Sequence, residues 1–234
     1  KDLARVLTNM IEVEQSATIK GRAGAIRSVR EYFYKGEIAE KMVDLSDKEG
    51  GFLTLQDMAD FSVTIEEPEK GTYNGHTLYS SGFWCQGPTL INVMNILENF
   101  DLKGLGHNSA DYIHALIEAF KLAYSDRHYF FGDPDFIDVP GVGLLSKRYA
   151  LERKDLFNWR KAWPEMPPMG DPWEHQAGNG RTDVSVPREK KGTTEPDTSY
   201  TCVVDKWGNA FSATPSDGIG PTPMVPGLGM IVSG

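Results

Sequence analysis

At Tyr200 the hydrophobic period of this chain switches, and the switch limits the folds open to it. Tyr200, Cys202 and Val204 alternate with Thr201, Val203 and Asp205, the two-residue repeat of a strand. Lys206-Trp207-Gly208-Asn209 turns the chain, and Ala210 to Pro215 reads as a second strand, so a hairpin is expected. Before residue 159 the period is mostly helical. Val6, Met10, Ile11 and Val13 form one apolar stripe in residues 1–48, and Ile26, Val29, Tyr32 and Phe33 form another. A helical turn or two is expected over Leu55 to Phe61. Strand signals follow at Val63-Thr64-Ile65 and at Tyr73 to Tyr79, where Asn74-Gly75 marks a hairpin. Pro88 to Phe100 reads as a helix with Leu90, Val93, Ile96 and Leu97 on one face. A longer helix runs from Asn108 or Ser109 to about Tyr124, with Ile113, Leu116, Ile117, Phe120 and Tyr124 as its buried stripe. One more short helix is expected in 144–158.

The helical and strand blocks are separated by residues 159–197, which hold three of the five tryptophans and six of the fourteen prolines. They lack periodicity and end in the polar run REKKGTTEPD, so a long irregular connection is expected. Three parts follow: 1–158, 159–197 and 198–234. Residues 217–234 read as loop. The start reads as mid-helix and the end stops inside an apolar run, so a piece of a longer protein is expected, with no signal peptide visible in it. Localisation stays open between cytoplasm and periplasm.

Charge and cysteine content exclude several classes. Lys and Arg number 24 against 33 Asp and Glu, a net charge of −9 that repels a phosphate backbone, so no nucleic-acid partner is expected. No apolar run is long enough to span a membrane. Cys85 and Cys202 stand far apart, with neither CxxC nor dense spacing, which suggests no disulfide framework and no structural zinc.

Chemistry enters first at Pro196-Asp197-Thr198-Ser199-Tyr200. A hydroxyl residue at the head of a strand, behind an irregular connection, becomes a complete nucleophile–base pair if the chain is cut before it. The hydroxyl attacks and the freed α-amino group, with an ordinary pKa of about 7.7–8.0, takes the proton. The plainer reading is a surface loop entering a hairpin. His114 and Glu118, four positions apart, share a helix face and are half of a metal site, but no third ligand stands nearby; a surface polar pair is expected instead. Asp126, Arg127 and the Gly132-Asp133-Pro134-Asp135 turn read as a loop anchored by an Arg–carboxylate pair, and Asp133, Asp135 and Asp138 lack the spacing of a calcium loop. Nothing in sequence lowers the Cys85 thiol pKa, so a structural thiol is expected. The glycines of 218–229 match no phosphate-binding pattern.

Thr198 to Ser216, TSYTCVVDKWGNAFSATPS, resembles the autoprocessing segment of the gamma-glutamyltransferase family, and two upstream blocks match independently. Gly50-Gly51-Phe52-Leu53-Thr54-Leu55-Gln56-Asp57 is similar to the family's "GG…D" stretch, and His114 to Pro140 to its "H…EA.K.AY.DR…GDPDF..VP" block. The resemblance covers nearly the whole chain. It implies an α+β fold, the four-layer αββα sandwich of N-terminal-nucleophile hydrolases, of which this chain is part. Residues 1–158 would then belong to the large subunit, 159–197 to a linker ending at the cleavage site, and 198–234 to the start of the small subunit, both subunits coming from one precursor. It implies cleavage between Asp197 and Thr198, Thr198 as nucleophile, and Ser216 in place of a Thr that hydrogen-bonds the new amino terminus. Asp217 and Gly218 fall at substrate-binding positions.

The departures bear on substrate. Tyr200 stands where the family has His, Gly218 where the transferases have an Asn that holds glutamate, and Gly82-Phe83-Trp84-Cys85-Gln86-Gly87-Pro88-Thr89 where they have a stretch rich in serine and glycine. The reading is therefore a self-processing amidohydrolase or acyltransferase acting on a small-molecule amide, without metal or cofactor, its homo-oligomeric state left open. The alternative is a homologous scaffold that does not process itself. The oxyanion-hole donors and the substrate-binding Arg are expected outside this stretch.

Overall fold

The computed structural model describes residues 1–177, 199–214 and 223–232. Two compact units form, one from Lys1–Thr64 with Lys191–Gly234 and the other from Ile65–Lys190.

In the first unit, α1 (Asp2–Ser16), α2 (Gly21–Lys35) and α3 (Glu37–Lys48) fill the span expected to be helical. Short α4 (Leu55–Asp60) begins at a capping box: Thr54 accepts from the Asp57 amide, and the Asp57 carboxylate accepts from the Thr54 amide. Hydrogen bonding to Thr54 holds the Asp57 carboxyl below its ordinary value. The core gathers Val6, Ile38, Met42 and Met58 from these helices, together with Val225 and Leu228 from the far end of the chain. The expected stripes fare unevenly. Val6 is buried, whereas Ile11 and Ile26 are exposed. Val63-Thr64-Ile65 forms no strand and is exposed throughout, because its β-branched run has no partner strand to complete a ladder.

β3 (Thr201–Val204) and β4 (Ala210–Ala213) form the expected antiparallel hairpin, with Thr201 opposite Ala213 and Val204 opposite Ala210. Asp205 builds its turn. Its carboxylate accepts from the Trp207 and Asn209 amides and from the Asn209 side chain, and hydrogen bonding led by that side chain holds its carboxyl below the ordinary value.

The second unit opens with the hairpin of β1 (Glu69–Tyr73) and β2 (His76–Ser80). Asn74 and Gly75 both adopt positive φ, as the primed turn between them requires. α5 (Pro88–Leu97) starts with proline at its first turn and buries Val93, Ile96 and Leu97, while Leu90 stays exposed. After α6 (Leu102–Leu105) comes α7 (Ala110–Phe130), longer than expected and capped by Ser109, whose hydroxyl accepts from the Tyr112 amide. α8 (Gly141–Leu144) and α9 (Lys147–Lys154) follow.

The face that α7 buries corrects the sequence expectation. Ile113 and Ile117 are 44% and 48% exposed, and Phe120 and Tyr124 are exposed too. Inward-facing positions carry Ala115, Glu118, Ala119, Leu122, Ala123, Ser125 and Asp126. The alanines let Val93, Ile96 and Leu97 of α5 come close, which bulkier side chains would prevent. Beyond α9, residues 159–177 are irregular as expected, apart from one 3₁₀ turn at Pro172–His175. Among the described residues the sheets are two separate two-stranded hairpins, which is part of a sandwich and not its four layers.

Candidate active site

Asp197, Thr198, Ser216, Asp217 and Gly218 all lie outside the described residues, so the description reaches the elements that flank them. The hairpin is the first of these. Thr198 stands three positions before Thr201, and Ser216 three positions after its partner Ala213. Tyr200 has its hydroxyl 3.3 Å from Ser212 Oγ across the hairpin. The second flanking element is the segment 223–232, where Met224 and Ile231 form an isolated antiparallel bridge.

In the second unit, the irregular segment after α9 is held against α7 and α9 by polar side chains. Glu118 is 0% exposed, not a surface residue as expected. One of its oxygens takes the Lys121 ammonium at 2.8 Å and the other accepts from the Trp163 amide at 3.1 Å, while Lys121 also donates to the Trp163 carbonyl. His114 meets the Asn158 carbonyl at 2.9 Å. Both members of the half-site considered for a metal are thus occupied by the segment's backbone. Further along, Ser125 donates to the Pro167 carbonyl, and Asp126 accepts from the Gly170 amide. Asp126 pairs with Arg153 at 3.0 Å, not with its neighbour Arg127, which lies over the Tyr124 ring. The expected Arg–carboxylate anchor exists, but its arginine comes from α9.

Burial raises the Asp126 carboxyl above the ordinary value, against the pull of Arg153 and the Gly170 amide, and burial with the Asp126 charge raises the Tyr149 phenol. Gly170 fits because any Cβ there would meet the Tyr149 hydroxyl. Sequence reasoning missed this arrangement. Its signal was a helix with carboxylates at 118 and 126 on the same side as alanines, which a purely hydrophobic stripe search discards. Glu118→Ala removes the acceptor for two half-buried donors, Lys121 Nζ and the Trp163 amide, and should cost about 1–3 kcal/mol, measured as the fall in unfolding free energy in urea.

Cys85 also differs from expectation. Burial pushes its thiol up, but hydrogen bonding with the Ser81 side chain and with the Gly87 and Gln86 backbone, together with the Arg127 charge, outweighs it and leaves the thiol below its ordinary value. Nearby, Trp84 donates to Glu66 at 2.6 Å, and Phe83 is buried against Phe131. Residues 82–87 thus form a built turn leading into α5.

Residues 3–233 match the model of the gamma-glutamyltranspeptidase family, and the chain belongs to that family. The glutathione hydrolase proenzyme of Bacillus subtilis (strain 168) is 34% identical over 209 residues, covering 86% of this chain and 34% of the relative. The acylase ACY 1 proenzyme of Pseudomonas sp. (strain SE83) is 30% identical over 203 residues, 86% of this chain and 33% of the relative. The structure of LmbA2991HD aligns with a TM-score of 0.80 at 32% identity, over 99% of this chain and 40% of that one. Helicobacter pylori gamma-glutamyltranspeptidase aligns with a TM-score of 0.58 at 32% identity, over 65% of this chain and 44% of that one. The fold is that of these N-terminal-nucleophile hydrolases, of which the chain covers part. It spans about a third of the length of the curated relatives it matches.

Proposed function

We propose that this chain is the central part of a self-processing enzyme that cleaves an amide through an acyl-enzyme on Thr198. The observation that carries the reading is the match of residues 3–233 to the gamma-glutamyltranspeptidase family, together with β3, which begins three positions after Thr198. The proenzyme relatives, a glutathione hydrolase and an acylase, support it.

In self-processing, the Thr198 oxygen attacks the Asp197 carbonyl carbon and the Asp197–Thr198 amide becomes an ester. Water then hydrolyses the ester, releasing the Asp197 carboxylate and a free α-amino group on Thr198. In turnover the same hydroxyl attacks the substrate amide, its proton passing to the α-amino group and then to the leaving amine. The acyl group departs from Thr198 to water or to a second amine. Dividing one amide hydrolysis into two acyl transfers lowers the barrier of each step. The Ser216 hydroxyl accepts from an N–H of the α-amino group and leaves the amine lone pair free to act as the base. Residues 1–158 belong to the large subunit, 159–197 to its linker, and 198–234 begin the small one. A denaturing gel of the full-length protein tests this: two bands are expected, and one stable band indicates instead a scaffold that does not process itself. Thr198→Ser should still cut, more slowly.

Substrate choice follows from Gly218. A gamma-glutamyl group presents an ammonium and a carboxylate on one carbon, and each polar group left without a partner on desolvation costs about 1–3 kcal/mol. Gly218 offers no side chain to either, and the Phe83-Trp84-Cys85-Gln86 turn is bulkier than the serines it replaces. A glutaryl amide, which lacks the α-amino group, should exceed the matching gamma-glutamyl amide in kcat/KM by at least about tenfold. Equal or better turnover of the gamma-glutamyl substrate removes Gly218 as the determinant.

A further inference from the structure

A cavity of about 670 Å³ opens in the second unit among β1, the loop of residues 133–139, α8 and Gln176. Asp133 turns the loop: its carbonyl accepts from the Phe136 and Ile137 amides, both at 3.0 Å, and its carboxylate accepts from the Asp135 amide. Gly141 lets α8 start directly against Phe83, since a Cβ there would stand 2.6 Å from the Phe83 ring. Phe83 is itself 4% exposed and edge-on to Phe131, so this wall is packed from behind. Gln176 accepts from the Gly143 amide at 3.0 Å, which fixes its side-chain amide beside α8. The size falls inside the roughly 300–1,000 Å³ of small-molecule sites, which pair an apolar wall with a few polar groups.

Phe83, Ile137, Val139 and Leu145 supply the apolar wall, and Glu69, Lys70 and Asp138 the charges. Neighbouring residues of a strand point to opposite faces, so Glu69 and Lys70 diverge. The Lys70 ammonium is engaged elsewhere, 5.8 Å from the centroid of the Tyr79 ring across the hairpin and 3.9 Å from Glu67, neither of which lines the cavity. Glu69 and Asp138 have no ion-pair partner among the described residues. Burial, and after it the Glu66 charge, raises the Glu69 carboxyl above its ordinary value, and a cation beside it would favour the ionised form again.

We propose that this cavity binds a small primary amine with an apolar body, its ammonium held by Glu69 and Asp138 and its body lying against Phe83, Ile137 and Leu145. A carboxylate in the same place would meet two like charges, and a neutral ligand would leave both unanswered. This inference does not rest on the reading at Thr198.

The test is calorimetric titration of the full-length protein near neutral pH with 3-phenylpropylamine, 3-phenylpropanol and 3-phenylpropionate, which share one body and differ in charge. The amine should bind with a Kd at or below about 1 mM, in keeping with a ligand of about ten non-hydrogen atoms. The alcohol should bind about tenfold more weakly, because hydrogen bonds between ionised groups are the strong ones, and the carboxylate more weakly still. Glu69→Gln should weaken the amine about three- to fivefold and leave the alcohol unchanged. Asp138→Asn, at an exposed loop position, should do the same and carries the test if Glu69→Gln folds poorly. Ile137→Ala should weaken amine and alcohol alike, which places the body on the wall. No binding by the full-length protein overturns the proposal, because another part of the chain then fills the cavity. Alcohol or carboxylate binding as tightly as the amine overturns it too, as does amine binding that neither Glu69→Gln nor Asp138→Asn weakens.

Discussion

Thr198→Ala leaves the full-length precursor as a single polypeptide and lowers amide turnover at least about 10⁴-fold. Alanine has no oxygen to attack the Asp197 carbonyl, so the ester that water would open never forms. The same missing oxygen removes the acyl-enzyme, and without cleavage there is no free α-amino group to serve as base. One substitution therefore removes nucleophile and base together, which is why the loss matches that of deleting the nucleophile in enzymes where such groups act as a unit. Intact mass separates this from misfolding, because an uncut chain that melts cooperatively has lost chemistry and not structure. A cleaved Thr198→Ala chain contradicts the assignment outright.

Asp126→Ala has the largest expected effect on stability. It leaves the Arg153 guanidinium, 2% exposed, without its counter-charge, and the Gly170 amide without its acceptor. Removing one partner of a buried ion pair costs about 3–5 kcal/mol, against about 0–1 kcal/mol for a surface pair such as Lys154–Asp155. The loss should appear in the urea unfolding of the second unit, together with faster proteolysis around 158–176. Arg153→Met combined with Asp126→Leu should be much milder than Asp126→Ala alone, because no unpaired charge remains. If the single variant unfolds at the wild-type midpoint, the pair does not hold the segment.

Local chemistry made the hairpins legible in the sequence. Asn74-Gly75 and Asp205 with Gly208-Asn209 dictate their turns from a few residues, and flanking alternation sets the strands. Helix positions were legible for the same reason, through period and caps such as Ser109. What α7 buries was not legible, because two faces compete. Ile113, Ile117, Phe120 and Tyr124 make the stronger hydrophobic stripe, yet close packing on α5 and the polar grip on residues 158–170 select the face of Ala115, Glu118, Ala119, Leu122 and Asp126. That choice depends on segments distant in sequence, α5 before α7 and residues 158–170 after it. The Val225–Leu228 turn was hidden likewise: its prolines and glycines read as loop, and only its distant contact with α1 and α3 turns two isolated apolar residues into core. At the candidate site, the β3–β4 register was legible from strand alternation, while the residues proposed for the chemistry, Thr198 and Ser216, were legible only through the family resemblance.

The most direct test of the central claim is the intact mass and N-terminal sequence of the purified full-length wild-type protein after incubation. The account predicts two polypeptides, the smaller beginning Thr198-Ser199-Tyr200-Thr201. A single undivided chain, or a smaller polypeptide that begins at any other residue, contradicts it.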